Sequence, residues 1–380
     1  MFNRLDKNFL KVWDRDIYKD ILHLSIFFLF IGCFFSFTAS PVVATRIGLN
    51  NYNFMLKHCF FALFSCFIIF FVSFFNEKQV INYSVVCFII LFMLLIAVYF
   101  FGNINKGAKR WIYINGFSLQ PSEILKPFFV VITSFLFAKS KKKEYYYIYA
   151  IFIFIMVFVF LIKQPDLGLA ILITATFLAE IFLTNINLKY FTISITIFLL
   201  SSIIIFYLLF PHFAHRINVF INSAFYDNNK SFQITKSLNA FNNGEFFGKG
   251  ILEGSIKNNI PDAHTDFIFS VIAEEMGAIT CIFILSLYVF FTLKVILITF
   301  ETESNFKYLS VMGLSFMFLF QALINIGVSI NLLPTKGMTL PLISYGGSSM
   351  LGTAVSIGFI LALTKKSYGN IQKNIILLER

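Results

Sequence analysis

The sequence predicts an all-α, polytopic integral membrane protein of about ten transmembrane helices, with a large extracytoplasmic loop between helices 7 and 8. Three observations predict it. Charged residues make up 13% of the 380-residue chain, against about 25% in a soluble domain. Hydrophobic residues make up 58%, and 54 residues are Phe. The apolar residues fall into runs near 20 residues long, the length that crosses about 30 Å of hydrocarbon.

In order, the runs cover 21–39, 55–75, 82–101, 124–138, 145–162, 167–184, 190–210, 267–297, 308–329 and 348–364. The fourth is short, and Lys126-Pro127 interrupts its start. The eighth is long and carries Glu274 and Glu275, so it is expected to tilt or break. Residues 1–20 form a charged N-terminal arm without the pattern of a cleavable signal peptide. Residues 21–364 form a single transmembrane domain that includes the 211–265 loop, and 365–380 form a tail. The five Cys all lie in apolar runs without CxxC spacing and read as small core residues.

An even count puts both termini on one side. The arm carries Arg4, Lys7, Lys11, Arg15 and Lys19. The 4–5 loop carries Lys139, Lys141, Lys142 and Lys143, and the tail Lys365, Lys366, Lys373 and Arg380. The positive-inside rule makes all three cytoplasmic. On a membrane protein the net charge of +11 reports topology and contact with anionic lipids, not nucleic acid.

By parity the organised polar sequence then lies outside, in the 3–4 loop (106–126), the 5–6 loop (163–168), the 7–8 loop and the 9–10 loop (333–349). Two of these loops are themselves basic, and an anionic ligand outside would account for that.

Asp266 stands where the longest loop enters the eighth span. It can cap that helix, act as a partly desolvated general base, or do both. Asp262 lies four residues earlier, and two acids so close also suit a glycosidase pair. Lys106, Lys109 and Arg110 flank Trp111 and read either as an interfacial amphipathic segment or as a phosphate-binding rim. Glu123 and Lys126, spaced i,i+3, form a structural ion pair if buried, or orient a polar ligand if they line a cavity. Asp166 follows Pro165 and suits a cap of the sixth span. Glu274, about 12 Å below Asp266 on a continuous helix, has no assigned role, and neither has Glu275. Glycines 244, 248, 250 and 254 lack a following GK[ST], so they form no P-loop and read as sites of tight turns or close approach. Tyr345-Gly-Gly-Ser-Ser349 opens the tenth span as a capped helix start, or as a helix N-terminus aimed at an anion. The five His show no paired metal-ligand spacing.

Five stretches together resemble the SEDS family (shape, elongation, division and sporulation): Ala39-Ser-Pro-Val-Val-Ala-Thr-Arg46, Gln120-Pro-Ser-Glu-Ile-Leu-Lys126, Gln164-Pro-Asp-Leu-Gly168, Pro261-Asp-Ala-His-Thr-Asp-Phe267 and Leu333-Pro-Thr-Lys-Gly with Ile343-Ser-Tyr-Gly-Gly-Ser-Ser349. The similarity runs in order from about residue 20 to 366. The first and last stretches resemble the division members more than the elongation members. The resemblance implies a peptidoglycan glycosyltransferase that polymerises lipid II at the outer face of the inner membrane, at the division septum. It implies a class B penicillin-binding protein and divisome regulators as partners. It matches Asp266 to the essential acid, Glu123, Lys126 and Asp166 to cavity residues, and Arg216 to a loop arginine. Lys109, Arg110, Lys336 and Ser344 complete the expected substrate-binding set. No cofactor is required, although magnesium or manganese could accompany the pyrophosphate. The sequence departs from the family pattern at Lys236, Glu245 and Asp262, where Gln, Gly and Glu are usual. Alternatives of another kind are a lipid II flippase and a non-enzymatic scaffold.

Overall fold

The computed structural model describes residues 11–48, 50–105, 108–114, 117–184, 232–302, 304–334 and 337–366. Nine helices occupy nine of the ten expected spans. They are α1 (Lys19–Arg46), α2 (Asn53–Ser73), α3 (Glu77–Phe101), α4 (Pro121–Ser140), α5 (Tyr145–Lys163), α6 (Leu167–Leu183), α8 (Ile268–Thr299), α9 (Asn305–Ser329) and α10 (Gly347–Leu363). A further helix, α7 (Phe232–Gly244), belongs to the 7–8 loop. The expected seventh span, 190–210, lies outside the described residues. Seven of the nine are long and apolar enough to cross a bilayer. The other two, α6 and α10, have 17 residues each. At 1.5 Å per residue that is about 25 Å, at the short end of the range that spans a bilayer.

The bundle is layered. α4 and α9 are mostly buried, whereas α2, α3 and α5 turn most of their surface outward. That outward surface carries many of the Phe residues, among them Phe60, Phe67, Phe71 and Phe152. α9 packs on α4, α6 and α8, and α10 packs chiefly on α2 and α4. Helix α4 runs through Pro127 without breaking. Pro127 has no N–H to return to the Glu123 carbonyl one turn back. That carbonyl faces Gly352 of α10, where a Cβ would sit 2.5 Å from it. A small residue there lets two helices meet backbone to backbone. The described ends meet on one face: Lys366 N donates to Asp16 O at 2.9 Å, as an even number of crossings requires.

The 3–4 loop is not purely irregular. It forms a three-stranded antiparallel sheet of β1 (Asn103–Asn105), β2 (Ala108–Ile114) and β3 (Phe117–Leu119), in the order β1-β2-β3. Trp111, Ile112 and Tyr113 favour extended backbone, and Asn115-Gly116 is a two-residue hairpin signal. The all-α expectation overlooked both.

Helix α8 breaks at Gly277, three and two residues beyond the acids expected to break it, with φ 77° and ψ 177°. The 7–8 loop fills the break. Lys249 N and Gly250 N donate to the Glu274 and Glu275 carbonyls at 3.0 Å each. Ala278 N and Ile279 N donate to the Glu245 and Phe246 carbonyls at 2.9 and 3.3 Å. Backbone groups released by the break thus find partners in the loop, as burial in a membrane protein demands. Gly248, at φ +83°, and Gly277 permit the approach, because a Cβ on either would strike the opposing backbone.

The two acids have structural work nearby. The Glu274 carboxylate accepts from Ile256 N and Lys257 N at 2.7 Å each, and from Asn243 Nδ2 at 2.9 Å. Glu275 pairs with buried Lys257. Both anchor the loop to α8, a role the sequence alone left unassigned.

Candidate active site

A cavity of about 860 Å³ opens between the ends of α1, α2, α4 and α7, the sheet, and the loops before α8 and α10. Asp266 lines it. The turn carrying Asp266 is held from several sides. Thr265 N and Phe267 N donate to Asp262 O at 3.1 and 3.4 Å, and Tyr345 N donates to His264 O at 2.9 Å. Asp262 occupies φ 53°, a left-handed conformation that Asp tolerates better than most residues. Ile260, Ala263 and Phe267 sink into a small apolar cluster with Ala39, Val43 and Val271. The N-cap position of α8 is Phe267, without a side-chain capping bond. The Asp266 side chain lies one residue before that position and lines the cavity. Gly337 passes so close that a Cβ there would lie 3.2 Å from Asp266 Oδ2.

Glu123 also lines the cavity, and Lys126 stands behind it, 1% exposed. Lys126 Nζ donates to Glu123 Oε2 at 2.6 Å and to Gln321 Oε1 at 2.7 Å. Gln321 Nε2 donates onward to Thr339 O at 3.0 Å and Ser349 Oγ at 3.2 Å. The Glu123–Lys126 pair is thus a buried ion pair whose acid meets the cavity. A buried charge is tolerable only with such full pairing.

Asp166 caps α6, accepting from Leu169 N at 3.4 Å. It also accepts from Gln120 Nε2 at 2.8 Å and lies 3.8 Å from the Arg110 guanidinium. Burial pushes its carboxyl above the usual range, against the pull of Arg110. Arg110 donates to the Gln164 carbonyl at 2.9 Å and to the Pro165 carbonyl. Cap and cation thus form one unit, with Arg110 fixed at the cavity wall and Asp166 behind it.

The other expected residues are placed differently. Lys109 does not line the cavity, although its neighbours Arg110 and Trp111 do. Ser344 is buried, and its hydroxyl accepts from Leu340 N at 2.8 Å, closing a turn. Arg216 and Lys336 lie outside the described residues, as does Lys106.

Sequence reasoning missed Arg46 and Lys57, two further cations in the lining. Arg46 also holds the acid-bearing loop, donating to Ile260 O at 3.1 Å. It missed Gln321 and Asn325 as well. The signal was present: two amides one helical turn apart in an apolar span lie on one face, and polar groups in a span turn inward. Among the described residues the cavity therefore sets Asp266, Asp262 and Glu123 within one lining with Arg46, Lys57 and Arg110. Such an arrangement can take a proton from a hydroxyl and hold an anionic group in the same space.

Fold and cavity define a class: an integral membrane protein with an acid-bearing, cation-lined cavity at one end of its bundle. The family model described as a cell cycle protein, for FtsW, RodA and SpoVE, matches residues 19–369. The chain is 34% identical over 371 residues to the "Probable peptidoglycan glycosyltransferase FtsW" of Caulobacter vibrioides, covering 97% of this chain and 94% of that one. It is 34% identical over 364 residues to the protein of the same name from Coxiella burnetii, covering 92% and 96%. Among solved structures it resembles a chain of a peptidoglycan synthase complex, with TM-score 0.76 and 20% identity, over 92% of this chain and 97% of that one. It also resembles the Thermus thermophilus rod shape determining protein RodA, with TM-score 0.67 and 19% identity, over 92% and 96%. These structural likenesses are likenesses of fold. The chain belongs to the FtsW/RodA/SpoVE family of cell cycle proteins.

Proposed function

We infer that the chain is a peptidoglycan glycosyltransferase of the division type, polymerising lipid II into glycan strands. The observation that carries this is one cavity lined by Asp266 and by Arg46, Lys57 and Arg110, in a chain whose relatives are named for that activity. Those relatives carry the division name at 34% identity, whereas the RodA likeness stands at 19%. The reading places the cavity at the outer face of the inner membrane, both termini in the cytoplasm, and the protein at the septum.

In the reaction, the C4 hydroxyl of one lipid-linked disaccharide attacks the anomeric C1 of another. Asp266 accepts the hydroxyl proton as the new C–O bond forms. The bond from C1 to undecaprenyl pyrophosphate breaks with inversion, and that pyrophosphate leaves with the bonding electrons. Arg46, Lys57 and Arg110 supply positive charge for it. Arg216 and Lys336 are proposed for the same task, and Glu123 with Lys126 for orienting the sugars. Magnesium or manganese belongs in this reading with the pyrophosphate, as part of the substrate.

The partner is a class B penicillin-binding protein that cross-links the strands, recruited with divisome regulators. Likeness to a chain of a peptidoglycan synthase complex supports this. Against a flippase stands the packing below Glu123: Leu125, Phe128, Phe129, Phe318 and Phe359 are all buried there in one core. Labelled lipid II, incubated with the purified protein and a partner inactivated for cross-linking, tests the reading. Glycan chains are expected. Transfer of intact lipid II across vesicles without polymer would replace the enzyme with a flippase, and neither product from a folded complex would favour a scaffold.

A further inference from the structure

We propose that a second pocket, at the opposite end of the bundle from the cavity, binds the phosphate headgroup of an anionic membrane lipid. Placing that lipid in the cytoplasmic leaflet rests on the orientation given above, but the pocket's chemistry does not.

The pocket, of about 370 Å³, lies where α3, α4, α5 and α9 end. Lys139, on the last turn of α4, and Lys142 and Lys143, in the turn to α5, line one side. Among the described residues no carboxylate lies within ion-pairing distance of these three. Lys139 Nζ rests instead 4.2 Å from the Phe135 ring centre and 5.5 Å from that of Tyr146. One acid, Glu77, also lines the pocket. It is already engaged, lying 3.8 Å from Lys307 Nζ and accepting from Ser304 Oγ at 3.4 Å. The lining therefore holds three cations without a carboxylate partner among the described residues and one acid that already has its cation.

The opposite side is the start of α9. Its N-cap, Ser304, makes no side-chain capping bond, so the first-turn amides and the positive end of a 25-residue helix border the same space. Below the lysines, Ile81, Phe135 and Phe306 make the lining apolar. A free phosphate would have no use for that surface. A phosphate ester on an acylated glycerol would, with its charge at the lysines and its chains along the apolar wall.

The test uses the full chain in detergent. Native mass spectrometry counts bound phosphatidylglycerol and phosphatidylcholine for the wild type, for K139Q/K142Q/K143Q, and for K11Q/K78Q, which removes basic charge outside the pocket. The wild type and K11Q/K78Q should retain phosphatidylglycerol over phosphatidylcholine, and the triple variant should lose that retention by roughly tenfold or more. Millimolar inorganic phosphate should not displace the lipid. Equal retention by the triple variant, or equal loss in K11Q/K78Q, would overturn the site. If inorganic phosphate displaces the lipid and raises the melting temperature of the wild type but not of the triple variant, the pocket takes free phosphate and the lipid assignment fails. Lys139, Lys142 and Lys143 are exposed, and matching melting curves without ligand would show that the variants fold.

Discussion

Asn325 Nδ2 donates to the backbone carbonyl of Asp266 at 2.8 Å and to that of Met338 at 2.6 Å. One amide in α9 thus ties the turn that bears the cavity acid to the loop that crosses beside it. The position of the acid-bearing turn is what this arrangement secures.

Asn325→Ala leaves both carbonyls without that donor in a buried setting. Each such loss costs about 1–3 kcal/mol. Thermal unfolding should move to lower temperature, and steady-state polymerisation should show kcat falling more than KM rises. An unchanged kcat at full occupancy would mean that the clamp does not set the acid's position.

Gly337→Ala tests the same position from the other side. The new methyl would sit 3.2 Å from Asp266 Oδ2. Small displacements of a reacting group are costly, so polymerisation should fall roughly tenfold or more while the melting temperature changes little.

The Glu123–Lys126 pair separates stability from activity. Lys126→Met strands a buried carboxylate, and breaking such a pair costs about 3–5 kcal/mol. The double variant Glu123→Gln/Lys126→Met should recover most of the lost thermal stability. It should remain poor in polymerisation, because Glu123 lines the cavity. Recovery of both properties together would make the pair purely structural.

The break in α8 should be intolerant of any side chain. Gly277→Ala meets a backbone region nearly closed to L-residues, at about 1–3 kcal/mol, and a collision with the Phe246 carbonyl. Gly48→Ala is the control. It also stands at positive φ, +70°, but a Cβ there meets nothing within 4 Å. The melting temperature should drop much further for Gly277→Ala than for Gly48→Ala.

The sequence made the spans legible because each one must be apolar for about 20 residues, a constraint strong enough to read directly. Asp266 and Glu123 were legible because charge is rare in such a chain. Three things were not. The sheet was not legible because Arg110, Trp111 and Tyr113 suit a membrane-interface segment as well as a strand. A break in α8 was expected, but its seat was not: the expectation rested on Glu274 and Glu275, whose side chains fasten a loop, whereas the break falls at Gly277. Ser344 was placed at the ligand through its neighbours in the motif, but its hydroxyl closes a turn onto Leu340. Local pattern does not reveal which way a loop side chain points; the packing of α9 and α10 decides that.

The central claim is that Asp266 takes the proton of the attacking hydroxyl. It is tested most directly by lipid II polymerisation with the cross-linking-inactive partner, comparing wild type with Asp266→Asn. The substitution keeps the shape of the side chain and leaves the Asn325 bond to the backbone carbonyl in place. Glycan chains from the wild type and almost none from Asp266→Asn, at equal thermal stability, is the expected result. Polymerisation by Asp266→Asn at a rate near that of the wild type would contradict it and move the base to another group.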